Sequence, residues 1–385
     1  MAERQILPLR FFYYICMLYK RKHIHIHYHM TWWRNPLFIL ILIALTLPPV
    51  SAQRKTCVIG FYNVENLFDT THDDGKNDYE YTPQGANAWT PEKYRKKLHN
   101  IAYAISRMAE ANGQFHAILG LAEVENEHVL RDLVATKELA PAGFRHILVE
   151  GPDRRGVDVA LLYRPDVFKV TGVDSIPFDF NSGIEFEFSR EEQKGFRTRD
   201  ILRVCGTIDG ETFAVYVCHL PSRGGDKGGD LRCRGAEIVY NDAMALQKSR
   251  PGIKIVVMGD MNDDPTDESM TRYLHGRERI SATTDTDFFS PFLPMIKNGY
   301  GTLSYRGRWN LFDCILVNRA LARPAKGTFG IQKIEKGKYY GKVFNADFLT
   351  NQSGPYKGTP YRTFSRGEFI GGYSDHYPTY IVIKK

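Results

Sequence analysis

The stretch "VVMGDMNDDPTD", residues 256–267, joins an apolar strand to a run of acidic and amide side chains. Val256 to Met258 is typical of a buried strand, and five carboxylates or amides follow between Asp260 and Asp267. Asp, Asn and Pro commonly end strands, so a solvated turn would explain the run on its own. Alternatively, Asp260 and Asn262 lie at the carboxyl end of a strand, where sheet enzymes often place catalytic groups. That second interpretation requires partners elsewhere in the chain.

Composition is that of a folded globular protein and excludes a disordered chain or a polytopic membrane protein. The chain has 385 residues, of which 43% are hydrophobic and 13% aromatic. Residues 1–52 hold six Lys or Arg and one acidic residue, so residues 53–385 carry only about +2 of the formal charge of +7. The basic balance that would indicate a nucleic-acid-binding protein therefore belongs mostly to the first 52 residues.

Residues 30–52 predict an export signal. Arg34 precedes an apolar stretch of about fifteen residues, which ends in the small residues Ser51 and Ala52. The stretch is short for a membrane span, so we expect cleavage near Ala52 and no transmembrane segment afterwards; a retained anchor is the alternative. Met30 is a candidate initiator, in which case the upstream residues are not translated. The expected destination is the periplasm, the cell surface or the medium.

Five cysteines remain in residues 53–385, and they show no metal-type spacing: Cys57, Cys205, Cys218, Cys233 and Cys314. An odd number, with three in apolar strand-like runs, favours buried free thiols over a disulfide framework.

The pattern of residues 53–385 predicts one layered α/β domain. Strand-like runs fall at 56–68, 116–126, 157–164, 201–220 with a hairpin about Asp209-Gly210, 309–318 and 371–383.

Two stretches predict helices, 91–112 and 236–249. The first has a capping threonine and a first-turn proline at Thr90-Pro91, and Asn112-Gly113 ends it. Apolar residues from Tyr94 to Met108 recur at helical spacing. The opposite side is expected to carry Lys93, Arg95, Lys96 and Lys97.

Polar residues suited to metal-assisted phosphate chemistry recur at the ends of the predicted strands. They are Asn63, Glu65, Glu123, His219, Asp260, Asn262, Asp313, Asp375 and His376. Singly, each has an ordinary structural explanation, such as a solvated strand end for Glu123 or a hydrogen-bonded core histidine for His219. Their recurrence at corresponding ends favours one common site.

Six motifs in this order resemble those of the endonuclease/exonuclease/phosphatase superfamily. They are "FYNVENL" (61–67), "LAEVEN" (121–126), "CHLPS" (218–222), "GDMNDDP" (259–265), "WNLFDCILV" (309–317) and "YSDHYP" (373–378). The resemblance runs from about Val58 to Ile383, and residues 84–105 and 156–166 are most similar to exported bacterial members. It implies a four-layer α/β/β/α sandwich, deoxyribonuclease I-like, with two packed mixed sheets flanked by helices.

A divalent cation is needed by such a site, because a cleft lined with carboxylates would otherwise repel a phosphodiester. Oxygen ligands without cysteine suit Mg²⁺, with Mn²⁺ as an alternative. The resemblance implies Glu123 as the first metal ligand. Glu65 and Asp375 would assist it directly or through water, with Asn63 close by.

The same resemblance implies that Asp260, oriented by Asn262, activates the attacking water. His376, held in one tautomer by Asp313, would donate to the phosphoryl oxygen or act as the alternative base. His219, with Asn262, would hydrogen-bond the non-bridging oxygens as charge grows on them. The sequence leaves the identity of the base open. Asp263, Asp264 and Asp267 are expected only to shape the turn.

Three features bear on the substrate. Arg223 opens a glycine-rich stretch, 222–235, whose other cations are Lys227, Arg232 and Arg234; it predicts phosphate-backbone contacts or a solvated loop. Trp309 would stack on a base or sugar, or lie in the core. Residues 335–373 interleave aromatic and basic residues, as single-strand binding surfaces do, although packed anchors of a long loop explain them equally well.

These patterns predict an exported Mg²⁺-dependent phosphodiesterase, a nuclease that hydrolyses DNA or RNA by in-line attack of water. A phosphatase or phosphodiesterase for phospholipid or sugar-phosphate head groups is the first alternative. A surface binding protein that has lost turnover is the second. We expect a monomer without a stable protein partner.

Overall fold

The computed structural model describes residues 55–180, 188–224, 228–334 and 337–385. The predicted export signal, the candidate initiator Met30 and Lys227 lie outside these residues. Within the described ranges, no helix combines the length and the apolar character needed to cross a membrane.

Strands and helices alternate along the chain with hairpins between them, as the sequence predicts. The strands are β1 (Thr56–Leu67), β2 (Ile118–Val124), β3 (Arg145–Leu148), β4 (Asp158–Tyr163), β5 (Phe168–Ile176), β6 (Ile201–Ile208), β7 (Glu211–His219), β8 (Lys254–Asp260), β9 (Gly276–Arg277), β10 (Phe288–Phe289), β11 (Leu303–Tyr305), β12 (Arg308–Asn310), β13 (Asp313–Asn318), β14 (Gly330–Gln332), β15 (Gly341–Val343), β16 (Phe364–Ser365), β17 (Glu368–Phe369) and β18 (Thr379–Lys384). The helices are α1 (Pro91–Asn112), α2 (Glu127–Ala135), α3 (Arg190–Gly195), α4 (Gly228–Ser249), α5 (Leu293–Lys297) and α6 (Arg319–Ala322).

Two large mixed sheets form the core. The first has the strand order β14-β18-β1-β2-β4-β3, with β15 also paired to β18, and the second has the order β5-β6-β7-β8-β13-β10-β9. In the first sheet β1 and β2 are parallel, whereas β18 is antiparallel to β1. In the second sheet β7 and β8 are parallel, whereas β13 is antiparallel to β8.

The two sheets pack face to face, with β1 and β2 against β8 and β13, and helices cover their outer faces. Helix α1 lies on β1, and Asp242 of α4 accepts a hydrogen bond from Tyr216 of β7 at 2.6 Å. The predicted four-layer α/β/β/α arrangement is thereby confirmed.

Helix α1 begins and ends where the sequence predicts. Thr90 caps its first turn by accepting a hydrogen bond from Lys93 N at 3.5 Å, and Gly113 ends it in the left-handed region at φ 68°. The prediction that Lys97 lies on the solvent side is wrong. Its side chain is buried and donates to Thr363 Oγ1 at 2.6 Å and to Tyr373 O at 2.7 Å.

Helix α4 begins at Gly228, eight residues before its predicted start. The glycine-rich stretch is therefore largely helix, and the interpretation of Arg232 and Arg234 as loop residues that contact phosphate is wrong. Both side chains are buried; Arg232 pairs with Asp263 at 2.7 Å and Arg234 with Glu237 at 2.6 Å.

All five cysteines of the described residues are free and buried, as predicted from their spacing.

Gly120 of β2 packs tightly against Met258 of the second sheet. A Cβ at this position would lie 2.6 Å from Met258 Sδ and 3.2 Å from the ring of Phe61. We expect Gly120→Ala to lower the free energy of unfolding by about 1–3 kcal/mol, because a methyl group would overpack the interface between the sheets. Chemical denaturation measures the change.

Gly172→Ala is the matched control, since Gly172 also lies in a strand but its added Cβ would meet only Cys205 Cβ at 3.9 Å. Its effect should stay within about 0.5 kcal/mol. If both variants lowered the free energy of unfolding equally, the close packing at Gly120 would be contradicted.

Candidate active site

The predicted site residues converge at one end of the paired sheets. Parallel β1 and β2 bring Asn63 beside the end of β2, and in the second sheet His219, Asp260 and Asp313 are direct neighbours across β7, β8 and β13. Residues 374–376 come just before β18, which runs back along β1 from Phe61. Since the sheets pack face to face, these ends form one rim.

Asp260 lies at the centre of this rim and is 2% exposed. Its Oδ2 accepts a hydrogen bond from Asn63 Nδ2 at 2.9 Å and lies 3.7 Å from His219 Nε2 and 3.8 Å from His376 Nε2. Its Oδ1 accepts from the backbone N–H of Asn262 at 2.9 Å. Burial raises the pKa of Asp260 to about 6, against the lowering effect of His376.

Glu123 reaches the same point from β2. Its Oε1 lies 3.4 Å from Asn63 Nδ2 and 3.9 Å from His219 Nε2, and its Oε2 accepts from the backbone N–H of Asn66 at 2.9 Å. The pairing of β2 with β4 shifts register at Glu123, whose backbone is left-handed at φ 63°. Such a bulge interrupts the alternation of side chains along the strand and directs the Glu123 side chain toward the rim.

His376 and Asp313 form a buried pair. His376 Nδ1 lies 2.7 Å from Asp313 Oδ2, and this contact leaves Nε2 facing Asp260. Burial alone would lower the pKa of His376, but Asp313 and Asp260 outweigh it and hold the pKa well above the usual 6.5. The two carboxylates therefore favour the protonated form of His376.

The pKa of His219 is shifted in the opposite direction to that of His376. Burial, together with the positive charges of Arg199 and Arg155, holds the pKa of His219 well below 6.5, so the ring is neutral. Arg199 fixes the chain at this point because its Nη2 donates to the carbonyls of His219 and Leu220 at 3.0 and 2.9 Å. Asn262 Nδ2 donates to Leu220 O at 2.9 Å, which ties the acidic turn to the same segment.

Glu65 and Asp375 are linked by Arg362, which the sequence did not single out. Arg362 donates from Nε to Glu65 Oε1 at 3.2 Å and from Nη2 to Asp375 Oδ2 at 3.0 Å. Glu65 Oε2 accepts from Thr363 N at 2.6 Å and lies 3.9 Å from Lys97 Nζ. Because both oxygens of Glu65 face a cationic side chain, Arg362 or Lys97, these contacts favour assistance through water, the indirect one of its two predicted roles.

Ser374 is a second residue that the sequence did not single out. Its hydroxyl donates to Asn63 O at 2.7 Å and accepts from His376 N at 3.1 Å, so it joins β1 to the His376 turn. A serine beside "DH" gives no signal of this contact, because the partner is 311 positions away.

Arg223 turns toward the acidic turn. Its guanidinium donates to Asn262 O at 3.0 Å and to Asp267 Oδ2 at 2.7 Å, and it lies over the ring of Phe312. Asp264 accepts from Leu311 N at 2.6 Å. The acids that follow Asp260 therefore stabilise the turn, as expected. Because Asp267 pairs with the guanidinium of Arg223, Arg223 does not face the rim as a free cation.

Trp309 is 39% exposed, so it does not lie in the core. Its ring stacks on Tyr377, with centroids 6.0 Å apart and an interplanar angle of 16°. Tyr377 directly follows His376, which places an exposed aromatic face beside the rim.

The rim suits a hard divalent cation. Within the described ranges, neither Glu123 nor Asp260 has a lysine or arginine within ion-pair distance, although Asp260 is buried. The rim offers carboxylate oxygens and the neutral imidazole of His219, and no thiol is among its donors; Asn63 turns its Nδ2 toward the acids, because its Oδ1 accepts from Glu65 N at 3.0 Å. Glu123 is the best-placed ligand, because Asp313 and His376 are already taken up by their mutual hydrogen bond.

The sequence matches the model of a known protein family. The model of the endonuclease/exonuclease/phosphatase family matches residues 58–385. No curated protein matches the chain significantly.

Solved structures share the fold. A family protein from Bacteroides thetaiotaomicron is 15% identical, with a TM-score of 0.50 over 86% of this chain and 98% of that one. A mannosyl-6-phosphatase of the same organism is also 15% identical, with a TM-score of 0.50 over 85% and 99%. The human Nocturnin catalytic domain is 15% identical, with a TM-score of 0.46 over 86% and 97%. At these identities the likeness shows the fold alone.

The charge of His376 can be measured directly. In EDTA-treated protein, we expect the imidazole of His376 to titrate well above pH 6.5, and Asp313→Asn to lower its pKa, because the variant removes the negative charge at Nδ1. Long-range ¹H–¹⁵N NMR of the ring nitrogens reports the titration. A titration at or below 6.5 in the unaltered protein, or no change in the variant, would contradict this description of the pair.

Proposed function

The chain belongs to the endonuclease/exonuclease/phosphatase family of metal-dependent phosphoric ester hydrolases, and we propose that it is an exported Mg²⁺-dependent phosphodiesterase that cuts nucleic acid. The convergence of Glu123, Asp260 and His376 around Asn63 carries the catalytic part of this proposal. Export rests on the predicted signal at 30–52. A surface binding protein without turnover is disfavoured, because every motif residue is present at the rim.

The chemistry needs positive charge among these acids. When bound, the cation supplies that charge and allows a phosphate anion to approach the carboxylates. Glu123 would hold it, with Asn63 beside it and Asp375 assisting.

Asp260 is placed to accept the proton of the attacking water. Its carboxylate is fixed by Asn63 on one oxygen and by the N–H of Asn262 on the other. A base held in one position lowers the cost of aligning the water with the leaving oxygen.

The two histidines are placed to donate hydrogen bonds. Because Asp313 holds Nδ1 of His376, its Nε2–H is available for a phosphoryl oxygen. His219 is neutral and has one N–H, which can serve a non-bridging oxygen. These assignments give the base role to Asp260 and a donor role to His376.

A cavity of about 490 Å³ beside Asp375 supports a nucleotide substrate. Its wall includes two exposed tyrosines, Tyr305 and Tyr356, which are 61% and 44% exposed. It also includes three arginines, Arg306, Arg362 and Arg366. Aromatic faces interleaved with guanidinium groups suit stacked bases and phosphates.

A phosphomonoesterase for sugar phosphates is the second candidate. The Bacteroides thetaiotaomicron mannosyl-6-phosphatase shares the fold over 99% of its own chain, and residues 53–385 carry only about +2 of formal charge. A weak net charge reduces the attraction to a long polyanion.

Substrate assays separate the two. We expect the purified protein with Mg²⁺ to degrade plasmid DNA or RNA and to hydrolyse bis(p-nitrophenyl) phosphate, and EDTA to abolish both activities. Hydrolysis of p-nitrophenyl phosphate or mannose 6-phosphate alone would favour the monoesterase. Turnover that persists in EDTA would contradict the metal-dependent site.

Two substitutions test the catalytic roles. Glu123→Gln and His376→Ala should each lower kcat/KM for bis(p-nitrophenyl) phosphate at least about a hundredfold while the fold stays intact by circular dichroism. Glu110→Gln and His128→Ala are the controls, because both side chains are more than half exposed on helices and pair with Arg107 and Asp132, which are not rim residues. Near-normal rates in both rim variants would remove the proposed site.

Tyr305→Ala tests the cavity. Loss of a stacking face should raise KM for single-stranded DNA about tenfold and leave bis(p-nitrophenyl) phosphate kinetics nearly unchanged, since base stacking contributes about 1–3 kcal/mol. An equal effect on both substrates would argue against a base in this cavity.

A further inference from the structure

A second group of acids lies outside the catalytic rim. Asp73, Asp78 and Glu125 each place one carboxylate oxygen within 4.8 Å of the other two. Asp78 and Glu125 are only 2% and 4% exposed, and Asp73 is partly exposed. Asp73 and Asp78 belong to the loop after β1, whereas Glu125 directly follows β2. None of the three has a role in the proposed reaction.

Asp69 adds a fourth carboxylate beside this group. Its backbone N–H donates to Glu125 Oε2 at 2.6 Å, and Asn126 Nδ2 lies 3.4 Å from Asp69 Oδ2 and 3.5 Å from Asp73 Oδ2. Asn126 thus contacts two of the four acids, and Asp69 N contacts a third, Glu125.

Little positive charge balances these acids. In the part of the chain that the structure describes, no lysine or arginine lies within ion-pair distance of any of them, and His72, against Asp78, is the only titratable base in contact. Lys76 of the same loop points away, with its Nζ 3.2 Å from Gly151 O and 3.5 Å from Asp153 O.

One atom of the group is left over. Glu125 Oε1 is buried and has no hydrogen-bond partner among the described residues, although Oε2 is well bonded. A buried carboxylate oxygen without a partner is costly, and it needs either a proton or a cation. The convergence of three carboxylates favours a cation over a proton, because a single positive charge stabilises all three.

We propose that Asp73, Asp78 and Glu125 bind a second cation, of the calcium type, that fastens the loop after β1 to the end of β2. Ca²⁺ takes 6–8 oxygen ligands in irregular arrangements supplied by loops and carboxylates, whereas Mg²⁺ requires a near-ideal octahedron. The two segments that this cation would join continue from the strands that carry Asn63 and Glu123. The site would therefore stabilise the rim without taking part in the reaction.

Calcium binding is tested in the Glu123→Gln variant, so that the rim contributes little to the signal. After EDTA treatment, isothermal titration with Ca²⁺ should show one bound ion. A hundredfold excess over Kd should raise the melting temperature by about 4 °C. Adding Asp73→Asn or Glu125→Gln should weaken binding at least tenfold.

Asp74→Asn is the matched control, because Asp74 is exposed in the same loop and its substitution changes the charge equally. It should bind Ca²⁺ like the parent variant. If Asp74→Asn lost as much Ca²⁺ affinity, the losses in the other variants would reflect only the change in net charge, and the proposed site would be wrong. Absence of Ca²⁺ binding in folded Glu123→Gln protein would also overturn it, since Glu125 would then simply be protonated. Neither readout is activity, so the result stands apart from the proposed function.

Discussion

The hydrogen bond from Asn63 to Asp260 crosses from one sheet to the other at the rim, and its 2.9 Å length requires the two strand ends to be held in contact. That contact depends on how closely the sheets pack, which the absence of a side chain at Gly120 permits. If the sheets moved apart, Glu123 of the first sheet and Asp260 of the second would no longer share one space. The site therefore depends on the interface between the sheets more than on any single motif.

Bringing these groups together creates an electrostatic problem that the surrounding structure solves in part. Asp260 and Asp313 are both almost fully buried, and the imidazole of His376, whose protonated form they favour, lies between them. On the other side, Arg362 and the buried Lys97 neutralise Glu65 and Asp375. Among the rim acids of the described residues, Glu123 alone has no cationic side chain within ion-pair distance, and this is the position at which a divalent ion gains most.

Support for the rim comes from the segments that follow its strands. The turn after Asp260 is held by Arg223 and by the N–H of Leu311, and the end of β7 is held by Arg199. The loop after β1 meets the end of β2 through Glu125, where the acids exceed the bases in contact with them. A rigid frame of this kind suits catalysis, because reacting groups must stay within about 0.5 Å of their working positions.

The sequence by itself determined the fold class, the strands that carry polar ends, the caps of α1 and the free state of the cysteines, because each of these follows from local patterns of apolar and turn residues. It also pointed to the residues that meet at the rim, since acids at the ends of apolar strands are conspicuous. Only the tertiary structure decided that Lys97 is buried, that Arg232 and Arg234 lie inside a helix, and that Arg362 joins Glu65 to Asp375. Periodicity assigns a charged residue to solvent by default, whereas the partner that stabilises it inside can be 266 positions away, as Thr363 is from Lys97. Such long-range contacts depend on how the layers pack, and the local sequence carries no record of that packing.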